Sequence, residues 1–322
     1  MEPSARLDLS LGVSVPGFTL DVEWTAGDGV TALFGLSGTG KTLTLECLAG
    51  LVRPQRGRIV LDGRVLFDSD SGVDVPAPQR RIGYVARGQA VMPRLAVPDD
   101  QALVLVDEPL SGLDRPTRDR LRDDLSAALS RRRTVAVVAT HDFTEAYRLA
   151  ERIVVYDRGR VIQAAPRGDL LWRPGAEAVA RLMGVRNVLH GAVLKATTDR
   201  IQLRWRGLTL EAVNSPSRPY LPTPGGPIAF FIRPEYVRLI RKDRGTPDPH
   251  HMNLMRGTVV RQTDLGTVWT LRIRLDEPGP PAQGDYDLEV EVPRLVHELL
   301  EIDRDHHWPF SIHRGSIHVL PA

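Results

Sequence analysis

Lysine is rare in this chain: of 42 basic residues only three are lysines, Lys41, Lys195 and Lys242. Lys41 stands in "GLSGTGKT", where Gly35, Gly40, Lys41 and Thr42 keep the spacing G-x-x-x-x-G-K-T and Ser37, Gly38 and Thr39 fill the interval. Such a stretch suits a loop whose backbone N–H groups wrap phosphate oxygens at a helix N-terminus. Lys41 would reach the β and γ phosphates, a task for a compact ammonium rather than a planar fork, and the Thr42 hydroxyl would ligate Mg²⁺. Two further groups complete the chemistry. Asp107 and Glu108 end the apolar run "ALVLV", and His141 ends "TVAVVAT". Asp107 would hold Mg²⁺, directly or through water, Glu108 would orient or deprotonate an attacking water, and His141 would hydrogen-bond a γ-phosphate oxygen.

These residues need elements that bring them together. "GVTALF" reads as a strand, and Leu43, Cys47 and Leu48 keep helical spacing after the glycines, so the phosphate loop joins strand to helix. Buried parallel strands read as continuous apolar runs, and ligands gather at their C-terminal ends. The expectation is an α/β fold around a mostly parallel sheet. Phe18, in "PGFTLDV", is either strand core on the face of Leu20 and Val22 or an aromatic for a nucleotide base to stack on.

Near Arg186 the pattern changes to short alternating segments with many turns. "NVLHGAV" (187–193) recurs as "NLMRGTV" (253–259), and "FIRPEYVRL" (231–239) resembles "SIHRGSIHV" (311–319). Two such units suggest a pair of small barrel-like folds that complete each other. We therefore expect two domains, 1–184 and an all-β 185–322. In "IQLRWRGLTLEAV", Arg204 and Arg206 share one face by period 2; they would be a solvated strand face or, less commonly, an oxyanion-binding pair.

Composition sets limits. The formal charge is +2 with basic residues spread along the chain, which leaves no electrostatic footprint for nucleic acid. No apolar run reaches the roughly 18 residues of a spanning helix, and "MEPSARLDLS" lacks the apolar core of a signal peptide, so a cytoplasmic location is expected. The single cysteine, Cys47, has no internal partner and reads as a packing residue. His250 with His251 and His306 with His307 are adjacent pairs, the wrong spacing for ligands on one face, and no transition-metal site is expected.

Taken in order, "GLSGTGKT", "LVLVDEP", "SGLD" and "ATHD" resemble the Walker A, Walker B, D-loop and H-loop motifs of the nucleotide-binding subunit of an ATP-binding-cassette importer. "TALFGLSGTGKT", the stretch from "GLVRPQRG" to "RRIGYV", and "MGVRNVL" look most like the subunits of molybdate importers, with other oxyanion and ferric importers close by. The resemblance implies a P-loop NTPase core followed by an OB-like TOBE region, ATP and Mg²⁺ as ligands, and Asp114 of the D-loop in the nucleotide site. It also implies a head-to-tail homodimer on the cytoplasmic face of the membrane, coupled to a permease and a substrate-binding protein.

The resemblance has a gap. That family carries a helical subdomain and an LSGGQ-like signature before the Walker B strand; here only residues 98–106 lie between Val97 and Asp107, and neither is present. The family's Q-loop glutamine falls on Arg87, and Gln89 lies two residues on, so neither inherits that role. The stretch from Ala86 to Gln101 is long enough for a crossover between parallel strands, but Pro93 and Pro98 interrupt it and leave no helical period to cover the sheet. An exposed apolar patch, lower stability and impaired hydrolysis are expected. The alternative is a non-enzymatic nucleotide- or oxyanion-binding protein that works through its β region.

Overall fold

Leu7, Leu9, Leu11 and Val13 alternate with exposed Asp8 and Ser10, so the first strand, β1 (Leu7–Val15), buries one face only. It forms a hairpin with β2 (Phe18–Ala26), in register from Val15 opposite Phe18 to Leu7 opposite Ala26. The structure, a computed structural model, describes residues 6–88, 101–130, 135–214, 220–241, 252–277 and 282–320. Gln89, Lys242, His250 and His251, like the connection 89–100, lie outside them. The chain divides into two compact units, Met1–Leu171 and Trp172–Ala322.

In the first unit, β4 (Arg56–Leu61), β5 (Arg64–Asp68) and β6 (Val73–Asp74) extend the hairpin antiparallel. The continuous apolar runs behave differently. β3 (Gly29–Phe34), β7 (Ile82–Val85), β8 (Leu103–Asp107), β9 (Val135–Thr140) and β10 (Arg152–Asp157) lie parallel in the order β10-β3-β9-β8-β7. β11 (Arg160–Pro166), antiparallel to β10, meets β2 at Arg160 opposite Asp21 and so joins both halves into one sheet of eleven strands. Around it pack α1 (Lys41–Ala49), α2 (Arg115–Ser130) and α3 (Phe143–Leu149), and α4 (Arg167–Trp172) follows β11.

The core carries Leu33, Leu45, Cys47, Leu48, Leu105, Val137 and Tyr156. Burial pushes the Cys47 thiol up to about 12, which leaves it un-ionised and inert, a packing residue. The C-terminal carbonyls of α1 have no partners within the helix. Arg80, 2% exposed, supplies them: its guanidinium donates to Cys47 O at 2.7 Å and Leu48 O at 2.9 Å, with Asp74 at 3.1 Å balancing the charge. β7 and β8 pair in parallel, Ile82 opposite Leu103 and Val85 opposite Val106. On the outermost strand, β7, Ile82 and Tyr84 are half-buried.

The second unit opens with α5 (Glu177–Leu182) and continues as β12 (Asn187–Ala196), β13 (Arg200–Trp205), β14 (Leu208–Val213), β15 (Pro227–Ile232) and β16 (Val237–Leu239). The same series then repeats: β17 (Met252–Asp264), β18 (Val268–Leu275), β19 (Leu288–Pro293), β20 (His307–His313) and β21 (Ile317–Leu320), with α6 (Arg294–Leu299) after β19. One sheet runs β14-β13-β12-β15-β21 and the other β19-β18-β17-β20-β16, all antiparallel. Each repeat thus donates its last strand to the other's sheet, and the two small β folds complete each other as the repeated segments suggest. Leu203, Trp205, Phe230, Leu271, Val290 and Phe310 share their common core.

Two arginines expected on one strand face are separated. β13 ends at Trp205, and Arg206 turns the chain with φ +50 into Gly207. Its guanidinium meets Asp287, which is fully buried, at 2.9 Å, while Arg204 stays exposed. Arg206 is therefore neither a solvated strand residue nor half of an oxyanion pair; it neutralises a carboxylate that also accepts the Leu275 and Ala282 N–H groups. His307 pairs with Asp276 at 2.8 Å.

Candidate nucleotide site

The sequence-predicted groups come from three different loops, and the strand order decides that they meet. β3, β9 and β8 are adjacent and parallel, so the loop after Phe34, the turn after Thr140 and the end of β8 at Asp107 lie at the same edge of the sheet. Chain order places them 65 residues apart for Thr42 and Asp107 and 33 for Glu108 and His141; tertiary contact closes both distances.

The loop from Gly35 to Gly40 is shaped by its glycines. Gly38 (φ +81) and Gly40 (φ +102) adopt left-handed backbone, which costs an L side chain. Gly35 is required for closeness instead: a Cβ there would fall 2.4 Å from the Tyr156 carbonyl oxygen. Gly40 caps α1, and Thr39 and Thr44 fix the turn by donating to Leu36 O and Gly40 O, each at 2.9 Å. Ser37 is exposed at the tip, as a loop residue presented to a ligand must be.

Lys41 is 5% exposed, and its ammonium donates to the loop's own carbonyls, Gly35 O at 2.8 Å and Leu36 O at 2.9 Å. Burial pushes its pKa down, against the pull of Glu108 and Asp107. Thr42 donates its hydroxyl to Asp107 Oδ2 at 2.9 Å. The other oxygen, Asp107 Oδ1, is buried and has no hydrogen-bond partner, and burial pushes this carboxyl above its usual range. A buried carboxylate oxygen left bare beside a hydroxyl, two residues' worth of hard oxygen donors, fits a Mg²⁺ ion. Among the described residues no group of three or more His, Cys, Asp and Glu side chains could hold a metal by itself. Any cation here would therefore complete its shell from water and phosphate, as Mg²⁺ does.

Glu108 leaves the strand in left-handed conformation (φ +48), with its N–H on Ala139 O at 2.9 Å. A non-glycine residue there is strained, and the conformation turns the side chain toward the end of β9. Its Oε2 lies 2.6 Å from His141 Nδ1. Asp114, in contrast, caps α2: its Oδ1 accepts the Thr117 N–H at 3.1 Å, which holds its carboxyl below the usual range. Phe18 opens β2 half-buried against the core and also lies over the loop, its ring 3.1 Å from where a Gly40 Cβ would stand. The strand-core reading of Phe18 holds, and the same ring lines a cleft of about 770 Å³ beside Ser37, Gly38 and Thr39.

Two further residues bear on this site, Arg87 at the Q-loop position and Glu145, which motif reading misses. Arg87 stands near enough for its charge to add to the burial that lowers the Lys41 ammonium and to oppose in small part the burial that raises the Asp107 carboxyl, a cation where the resemblance implies a neutral glutamine. Glu145, 5% exposed, accepts the Thr140 hydroxyl at 2.8 Å, and Thr140 Oγ1 in turn accepts the Asp142 N–H at 3.1 Å. The Glu145 N–H closes the turn on Asp142 Oδ1 at 3.0 Å. His141 is thereby clamped between two fixed neighbours. The signal was available as the capping-box spacing of Asp142 and Glu145.

A family model described as "ABC transporter" matches residues 20–153. The Molybdenum import ATP-binding protein ModC of Paramagnetospirillum magneticum is 33% identical over 52% of this chain, a stretch that spans 61% of that relative. The protein of the same name from Rhodospirillum rubrum is 30% identical over 63% of this chain and 72% of its own length. That of Rhizobium etli is 28% identical along 330 aligned positions that draw on 81% of this chain and 87% of the relative. Since 81% of this chain is only about 261 residues, those 330 positions include dozens of residues of the relative without a counterpart here. The phosphate loop, the strand-end carboxylates and the histidine opposite them thus occur in a chain that belongs to the ATP-binding subunits of ABC transporters.

Proposed function

We propose that this chain is the ATP-binding subunit of an importer for molybdate or a related oxyanion, and that its hydrolysis of ATP is impaired. The observation that carries the reading is the meeting of Lys41, Thr42, Asp107, Glu108 and His141 at the ends of three adjacent strands. Molybdenum is named only in its relatives. Thr42 and Asp107 would hold Mg²⁺, which neutralises phosphate charge when bound. Lys41 places a buried positive charge at the loop and exchanges carbonyl partners for phosphate oxygens. Glu108 offers Oε2 as the proton acceptor for an attacking water, and His141 Nδ1 holds that carboxylate in place. Asp114, as the cap of α2, fixes the turn beyond Glu108 in the same site.

Impairment follows from what the sequence lacks. Phosphoryl transfer is catalysed chiefly by positioned charge, and a signature motif from a second copy would supply part of it in a head-to-tail homodimer. Without those donors the loss is on the order of 10²-fold or more. The permease and substrate-binding protein are proposed as partners on the same ground of kinship, with the chain on the cytoplasmic face of the membrane. Among the described residues no helix is long and apolar enough to cross a membrane.

Calorimetry with MgATP on the wild type and Lys41→Ala, with phosphate release followed in the same samples, tests the proposal. Binding that depends on Lys41, with turnover far below that of a full-length relative, is expected. Absence of Lys41-dependent binding overturns the nucleotide-site reading; full turnover overturns the impairment.

A further inference from the structure

Away from the phosphate loop, three guanidinium groups from three helices line one cleft of about 350 Å³: Arg122 of α2, Arg148 of α3 and Arg167, the first residue of α4. We propose that this cleft is a second anion site, built for a small tetrahedral oxyanion such as inorganic phosphate. It shares no residue with the nucleotide site.

Charge is the first argument. Three arginines line the cleft with one carboxylate, Asp123, the hydroxyl of Ser126 and the ring of Tyr147, and Asp119 behind the wall is the second carboxylate that faces them, which leaves the arginines in excess. Arginine forks match the oxygens of a tetrahedral anion two at a time, and a concave wall concentrates their field.

Arg122 is the second argument. Its side chain is 6% exposed, Nη1 donates to Asp119 Oδ1 at 2.5 Å, and Nε is buried without a hydrogen-bond partner. Arg122 is thus a fixed, buried charge in the cleft wall, and its field acts on the cleft whether or not its own N–H groups reach a ligand. The other two arginines are adaptable. Arg148, 46% exposed, holds Asp123 at 2.9 Å with one nitrogen and stands 3.9 Å from Asp119 with another. Arg167 donates to Tyr147 O at 3.0 Å and lies 5.6 Å over the Tyr147 ring. Exposed ion pairs of this kind contribute little and exchange partners readily.

The volume suits a small ligand: it lies near the lower end of ordinary ligand pockets, too small for a nucleotide to be enclosed. Phosphate, sulfate and molybdate share the required chemistry, and the test separates them.

Each anion is titrated calorimetrically at low ionic strength into full-length Lys41→Ala, so that the phosphate loop does not contribute. Saturable binding of phosphate with a Kd of about 1 mM or tighter is expected. Arg148→Gln with Arg167→Gln removes two exposed charges without touching the core and should weaken binding at least about tenfold; Asp123→Asn removes the opposing carboxylate and should tighten it. Equal affinity for all three anions supports a general oxyanion site, and a marked preference supports the site while identifying its ligand. No saturable heat with any of them, unchanged binding in the double variant, or weaker binding in Asp123→Asn overturns the proposal.

Discussion

Asn187 and Asn253 occupy the same place in the two β repeats and make the same bonds to opposite sheets. Asn187, on β12, donates to Glu289 O and accepts Glu289 N–H, both at 2.7 Å, on β19 of the other sheet. Asn253, on β17, donates to Glu211 O at 3.0 Å and accepts Glu211 N–H at 2.7 Å on β14, with a further bond to Ile312 O at 3.2 Å. Each amide thus replaces one rung of a strand ladder where the two sheets meet. A carboxamide is the side chain that can do this, having donor and acceptor side by side.

Replacing either asparagine by alanine leaves a backbone N–H and a carbonyl without these partners, buried at Glu289 and half-buried at Glu211. We expect Asn187→Ala and Asn253→Ala each to destabilise the β unit by about 1–3 kcal/mol, measured by urea unfolding. Asn253→Ala should cost the more, since three bonds are lost instead of two. A cost below about 0.5 kcal/mol at either position would mean that these bonds do not hold the sheets together.

Glu145 should leave a mark on the pH dependence of stability. Burial pushes its carboxyl up to about 7, against an ordinary value of 4.5. Between these two values the unfolded chain ionises Glu145 while the folded chain keeps it protonated, so stability falls as pH rises through that window. The loss amounts to at most about 3 kcal/mol. Glu145→Gln, whose amide can still meet the Thr140 hydroxyl, should be relatively more stable than wild type at pH 8 than at pH 4. Parallel stability profiles for the two proteins would refute this.

The glycines of the phosphate loop should differ in how they fail. Gly35→Ala places a methyl group 2.4 Å from a backbone oxygen that cannot swing away, whereas Gly38→Ala meets open space and strains only its own backbone. Overpacking costs about 1–3 kcal/mol and a left-handed alanine about 1–2. Gly35→Ala should therefore displace the loop and weaken MgATP binding at least about tenfold, with a smaller effect from Gly38→Ala, both read by calorimetry. The reverse order would show that the loop's own conformation, not its approach to Tyr156, limits binding.

Misplaced expectations have local causes. Arg206 is placed on the face of Arg204 by counting in twos, and the count fails because Arg206 and Gly207 turn the chain one residue earlier than the pattern implies. The partner that fixes Arg206, Asp287, lies in the other repeat and leaves no trace near it in the sequence.

By itself the sequence determined what depends on neighbours along the chain. Glycine spacing shapes the phosphate loop, apolar runs make buried parallel strands, alternating segments make half-buried ones, and a repeat is legible because similar segments fold alike. Tertiary structure alone decided what depends on residues far apart. The strand order that places β3, β9 and β8 side by side brings Lys41, Asp107 and His141 to one edge, and the exchange of β16 and β21 lets each asparagine reach the other sheet. The clustering of Arg122, Arg148 and Arg167 is of the same kind. Periodicity reports which face of an element is buried, but only packing selects the face it is buried against, and chemistry between distant residues waits on that choice.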